Sequence, residues 1–377
     1  MKKKTAVLVI HGIGEQESFE TLDAFAKPFS DLYCELAGKK YQNVSIQKKH
    51  ALVQFPGWAE SCVSLKSGAE DLPDIDIYEY YWAYLAEREI TAAEVTDWIF
   101  KVVAGAKGFY EGKEKTNRTG KNDVLFSQDG EFRSLKYLVW ILSFGNILRF
   151  AGLFLSQHLP ESVKKLASAA LKGPLVDAFG DVALYTSSDM KSKYFEVRSK
   201  ILNGAVEKLT FLMKNGSYDE IILAGHSLGT VIAYDSLARL NTQMNVDLAP
   251  PDKARRITGL VTFGSPLDKI AFFFDEKIDR DRQPVRSAIT SQLHGFKKVN
   301  VDTQALDNGV GDYFKHVKWL NFWSERDPVS GHLDVYRDLE NIKMDFSKLT
   351  VNPIKTHSMY WQSMNMYKRI IDDFQLV

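Results

Sequence analysis

Ile221-Ile222-Leu223-Ala224-Gly225-His226-Ser227-Leu228-Gly229-Thr230 decides the reading of this chain. Four apolar residues, the length of a buried strand, run straight into two glycines that bracket a serine. Thr230–Leu240 then carries the apolar spacing of a helix. A strand, a tight turn and a helix in immediate succession form a G-x-S-x-G turn in its structural context. The turn holds the serine backbone in a strained conformation and presents its hydroxyl at the C-terminal edge of a sheet. It also sets that hydroxyl at a helix N-terminus, where the partial positive charge suits an oxyanion.

Further strands follow from the same signals. Thr5–Ile10 is a short β-branched run stopped by Gly12 and Gly14, as expected of a strand buried on both faces. Val44–Val53, Asp76–Tyr81, Ile257–Phe263, Trp319–Trp323 and Lys343–Val351 read as additional strands. Ser18–Leu36, Ile201–Met213 and Met359–Phe374 have helical periodicity, with a kink or break expected at Pro28. Strands alternating with helices predict an α/β fold built on a mostly parallel sheet. Residues 1–84 and 200–377 read as its core, and 85–199 as a mostly helical insertion acting as a cap or a lipid-facing element.

Composition narrows the function. The 377 residues carry 48 Lys+Arg against 48 Asp+Glu. This balance argues against nucleic-acid binding, which needs a clustered basic field. Two cysteines, Cys34 and Cys62, cannot form a disulfide framework or a cysteine-only zinc site. The apolar run after Lys2-Lys3-Lys4 is shorter than a secretory h-region and ends in His11-Gly12 rather than a cleavage site. A cytoplasmic protein is the expectation.

A serine needs a base to take its proton, and the base needs an orienting acid. His357 precedes the last helix in a polar stretch downstream of every strand, where a loop could reach over Ser227. Spacing leaves His332 and His294 open. Asp327 follows the Trp319–Trp323 strand in a turn, and Asp268, after Gly264-Ser265-Pro266, is its rival. Ser227, Asp327 and His357 stand in the chain order serine, acid, histidine. His11-Gly12-Ile13-Gly14 ends the first strand in a turn able to aim a backbone N–H at the point the Leu228 N–H faces. Ile13 and Leu228 are therefore the expected oxyanion-hole donors. A dinucleotide-binding turn is the competing reading there, but the third glycine is missing and Glu15 and Glu17 would repel a pyrophosphate. His226, inside the turn, is expected to point away from the reacting oxygen.

With these pieces in this order the chain resembles the α/β-hydrolase superfamily, and within it bacterial lipases and esterases. The likeness rests on Val7–Gly14, Glu220–Thr230, Thr262–Leu267, Ser324–Val329 and Thr356–Ser358. It implies a serine carboxylic-ester hydrolase working through an acyl-enzyme on an apolar acyl ester, with no metal or organic cofactor. By the same likeness Ser227 is nucleophile, His357 base and Asp327 acid, and Ile13, third residue of the His-Gly-x-Gly turn, supplies an oxyanion N–H. An acyltransferase or thioesterase with the same residues, and a non-catalytic lipid- or protein-binding module, are the alternatives. The leading strands of larger members are expected to be absent or shifted. Tyr137–Leu155 approaches the roughly 20 apolar residues a bilayer span takes, but contains Asn146 and Arg149. A buried cap helix, a lipid-contacting peripheral element and a span are the readings of this stretch, in that order of preference.

Overall fold

The strands that build the centre of the molecule are apolar on both faces, so each must be covered twice. β1 (Lys4–Ile10) buries every residue after Lys4. The computed structural model describes residues 2–12, 17–41, 44–55, 58–86, 193–214, 218–270, 282–293, 295–298, 306–307, 309–327, 329–346 and 353–377. The insertion expected over 85–199, apart from its two ends, the 137–155 stretch, Ile13 and His294 lie outside these residues.

Within them, β2 (Ile46–Phe55), β3 (Trp58–Ser67), β4 (Asp74–Tyr80), β5 (Glu220–His226), β6 (Ile257–Phe263), β7 (Lys318–Trp323) and β8 (Leu339–Lys343) join β1 in one sheet. Its order is β2-β3-β4-β1-β5-β6-β7-β8. Every pairing from β4 to β8 is parallel, while β2–β3 and β3–β4 are antiparallel. The fold is thus a mostly parallel eight-stranded sheet flanked by helices. The antiparallel pair β2–β3 follows β1 in the chain and forms one edge of the sheet.

The pleat divides the core into two layers. Ala6, Leu8, Ile10, Tyr78, Tyr80, Ile221 and Leu223 face the helices Lys193–Lys214 and Leu228–Met244. Val7, Val9, Ile75, Ile77, Ile222, Ala224, Val261, Phe263, Leu320 and Phe322 face the first and last helices. In chain order the α-helices of six or more residues among the described residues are α1 (Glu20–Lys40), α2 (Lys193–Lys214), α3 (Leu228–Met244), α4 (Pro284–Leu293), α5 (Pro353–Ser358) and α6 (Met364–Asp373). Among the described residues no helix is long and apolar enough to cross a membrane.

Four expectations change. Pro28 sits inside α1, which runs through it without a break. Proline removes the N–H that would reach the carbonyl of Ala24; the Tyr367 hydroxyl from α6 lies 3.4 Å from that carbonyl, while the Trp361 carbonyl, at 3.0 Å, is its nearer acceptor. The last strand is Leu339–Lys343, earlier than the Lys343–Val351 expected. β3 is an additional strand. Finally, Met359–Phe374 divides at Ser363 into a 3₁₀ turn, Met359–Gln362, and α6, where the Ser363 side chain accepts the Met366 N–H as an N-cap.

Candidate active site

Parallel strands end together, and four of these ends meet a helix or turn bearing a polar side chain. β5 ends at His226, and Ser227 opens α3 with φ 52° and ψ −126°, a rare conformation for a residue with a Cβ. The chain is pinned on both sides of it. The Ser227 N–H donates to the Phe263 carbonyl at 3.2 Å, and the Ser227 carbonyl accepts the Thr230 N–H at 3.0 Å and the Thr230 hydroxyl at 2.6 Å. The Thr230 hydroxyl also meets the Ser265 hydroxyl at 2.8 Å, tying the turn to the end of β6.

The glycines have separate tasks. A Cβ on Gly229 would collide with the carbonyl oxygens of Ile10 and His11, so α3 could not approach the end of β1. A Cβ on Gly225 would lie 2.6 Å from the Gly229 carbonyl oxygen, within the turn itself. A Cβ on Gly12 would lie 2.6 Å from the Ser227 Cβ and 3.3 Å from its Oγ, so the end of β1 reaches the serine as bare backbone. The Leu228 N–H is the first amide of α3, at the positive end of the helix dipole.

The Ser227 Oγ is buried and has no hydrogen-bond partner among the described residues. Asp327 and His357 are joined: His357 Nδ1 lies 2.9 Å from Asp327 Oδ2. The Asp327 side chain is fully buried and His357 is partly exposed. Asp327 Oδ1 accepts the Val329 N–H at 2.9 Å, which fixes the carboxylate plane. Against an ionised carboxylate Nδ1 carries the proton and Nε2 the lone pair. His357 stands in α5 rather than in the expected open loop.

The rivals are elsewhere. Asp268 packs against Gly331, its carboxylate filling the space a Cβ would need there. His332 pairs with Asp334 at 2.6 Å. No group of three or more His, Cys, Asp or Glu side chains among the described residues could hold a metal ion.

Two further imidazoles border the turn. His11 stacks on Trp82, with centroids 4.8 Å apart and planes 2° from parallel. The Trp82 N–H donates to His11 Nε2 at 3.0 Å, so His11 Nδ1 carries the proton and donates to the Gly12 carbonyl at 2.7 Å. The Trp82 indole N–H donates to the His11 carbonyl at 3.0 Å. This clamp holds the end of β1, and sequence reasoning missed it; the signal was an aromatic run, Tyr80-Tyr81-Trp82, at the end of a neighbouring strand. Nearby, a Glu79 carboxylate oxygen accepts the Phe19 N–H at 2.6 Å at the start of α1. His226 Nε2 lies 2.9 Å from the His357 carbonyl oxygen.

Burial dominates the titration of both rings. It lowers His11 from its ordinary 6.5 to about 4, and His226 to about 3, with the neighbouring His357 adding to the latter shift. Both are neutral in the fold, whereas in the unfolded chain each takes a proton near pH 6.5. Below that pH the unfolded state binds more protons and stability falls, by up to about 1.4 kcal/mol per pH unit for each ring. Stability is therefore full above pH 6.5 and declines on acidification toward the folded values. His332 is shifted up by Asp334 and acts in the opposite sense, but it is largely solvated and its effect is smaller. Urea midpoints measured from pH 8 to pH 4.5 should fall below about pH 6.5. A flat profile would contradict the burial of neutral imidazoles.

No protein-family model matches the chain, and no curated protein matches it. Among solved structures, the putative cell surface hydrolase from Lactobacillus plantarum WCFS1 aligns over 100% of this chain and 91% of its own, at 10% identity and a TM-score of 0.32. Esterase B from Lactobacillus rhamnosis, described with a tributyrin phosphonate inhibitor, aligns over 47% of this chain and 63% of its own, at 14% identity and a TM-score of 0.21. The neighbours are hydrolase structures, at a likeness too low to carry an argument.

Proposed function

We propose that the chain is a serine hydrolase of carboxylic esters with an α/β-hydrolase fold. One observation supports this most: a buried serine hydroxyl without a partner among the described residues, held at positive φ on a strand-to-helix turn, at the sheet edge where a buried carboxylate holds an imidazole by Nδ1.

In this reading Ser227 Oγ attacks the ester carbonyl carbon as its proton passes to His357 Nε2. Asp327 keeps the proton on Nδ1 and stabilises the imidazolium that forms. The tetrahedral oxyanion takes the Leu228 N–H and, by proposal, the Ile13 N–H. His11 holds the Gly12 carbonyl, part of the peptide to which that second amide belongs. Collapse of the intermediate breaks the bond to the alcohol oxygen, which leaves with the proton from Nε2. Water then attacks the acyl-serine, giving its proton to the same nitrogen, and the carboxylic acid departs as Ser227 is reprotonated. An apolar acyl chain is the proposed substrate class, resting on the apolar content of the insertions in the sequence.

An activity-based fluorophosphonate is the direct test. It should add one phosphonyl group per chain, mapped by tandem mass spectrometry to Ser227. An unchanged intact mass at excess probe would overturn the reading. A panel of p-nitrophenyl esters of increasing chain length then reads acyl preference as kcat/KM.

A further inference from the structure

The proposed chemistry gives no task to His226, yet this ring is buried at the site. It is packed by Phe263 at a centroid distance of 5.2 Å, by Trp361 at 4.9 Å and by the ring of His357 at 4.7 Å and 34°. A carbonyl oxygen can only accept, so the 2.9 Å contact to the His357 carbonyl requires the proton on His226 Nε2.

Room for this contact is made by one residue. Gly264, at the end of β6, has φ +63°. A Cβ there would lie 2.9 Å from His357 Cε1 and 3.2 Å from His226 Nε2. The missing side chain lets the two imidazoles meet across the end of the strand.

Resting on the serine-hydrolase reading, we infer that His226 is a positioning residue, which fixes the main chain of His357 relative to Ser227 through its Nε2–H bond to the His357 carbonyl. Asp327 holds His357 by a ring nitrogen. His226 holds the same residue by its backbone. Because His226 is covalently adjacent to Ser227, the path from nucleophile to base then runs through one peptide bond and one hydrogen bond. A displacement of about 1 Å between reacting groups can cost about 10²-fold in rate.

The test uses two variants of the full chain. His226→Phe keeps a ring in the packed space and removes the donor; His226→Gln keeps an N–H able to reach the carbonyl. Expected for His226→Phe is a fall of about 10- to 100-fold in kcat on p-nitrophenyl butyrate and in the fluorophosphonate labelling rate of Ser227. KM should stay within about threefold. His226→Gln should recover most of both rates. A merely structural role would lower the thermal midpoint in both variants without splitting kcat from KM or separating Gln from Phe.

Equal labelling of His226→Phe and wild type would overturn the inference, as would His226→Gln as slow as His226→Phe. A third arm needs no variant to fold: ¹⁵N spectra of the imidazoles in the wild-type chain should show His226 as the Nε2–H tautomer at pH 7.5. The Nδ1–H tautomer there would overturn the inference. Wild type that resists the probe would overturn the serine-hydrolase reading and this inference with it. Wild type that labels while the variants match it overturns the inference alone.

Discussion

Ser227→Ala should lower kcat on a p-nitrophenyl ester by about 10⁵- to 10⁶-fold while leaving the fold intact. That magnitude follows from the covalent route. Without the hydroxyl no acyl-enzyme forms, and what remains is hydrolysis by bound water helped by the turn amides, which in serine hydrolases is worth about 10³–10⁴ over solution. Stability should move little, and in a telling direction. The Ser227 Oγ is buried with no partner among the described residues, so its removal leaves nothing unpaired. The positive φ remains, because alanine has a Cβ as serine does. Ser227→Gly should therefore be the more stable of the two variants, by about 1 kcal/mol or more, since glycine adopts that backbone freely. Initial rates and urea unfolding of the two variants check both statements. Residual turnover above about 1% of wild type would show that another nucleophile carries the reaction, and Ser227→Gly no more stable than Ser227→Ala would show that the turn is not strained.

The parts of the molecule that could be read from sequence are those where one short segment meets a uniform environment. β1, β5, β6 and β7 are covered on both faces, so their residues are apolar without alternation and their limits are clear. β3 was missed because it pairs antiparallel near the sheet edge and reads Ala59-Glu60-Ser61-Cys62-Val63-Ser64-Leu65-Lys66, with polar residues between its apolar ones. β8 was misplaced because its residues are only half buried and three of the five are polar. Within the candidate site, residues with one local signature stand out in the sequence: the glycines around Ser227, and Asp327 and His357 as candidates after the strands. Residues whose role lies in a contact between distant elements do not. Nothing in the sequence joins His11 to Trp82, or says that Gly264 clears a space for His226 and His357 together.

That distinction bears most on the acid, for which the sequence offered two aspartates. Asp327→Asn should lower kcat by about 10⁴-fold, close to the loss measured when the acid of such a triad becomes an amide. The cause is proton placement. Asp327 Oδ2 accepts the His357 Nδ1–H at 2.9 Å, so the lone pair of the neutral ring is on Nε2. An asparagine in the same rotamer keeps Oδ1 on the Val329 N–H and turns its NH₂ toward Nδ1. The imidazole then accepts at Nδ1, carries its proton on Nε2, and presents a donor where the serine needs an acceptor. The imidazolium also loses its counter-charge. Because the amide preserves the shape and the Val329 bond, the urea midpoint should shift far less than the rate does. Asp268→Asn should leave kcat within about threefold, since that carboxylate packs on Gly331. A strong loss in Asp268→Asn with Asp327→Asn near wild type would reverse the assignment. Combining Asp327→Asn with Ser227→Ala separates a shared mechanism from two independent injuries. If aspartate acts only through the histidine on the serine, its replacement should cost almost nothing once the hydroxyl is gone, because groups that work as one unit are lost as one unit.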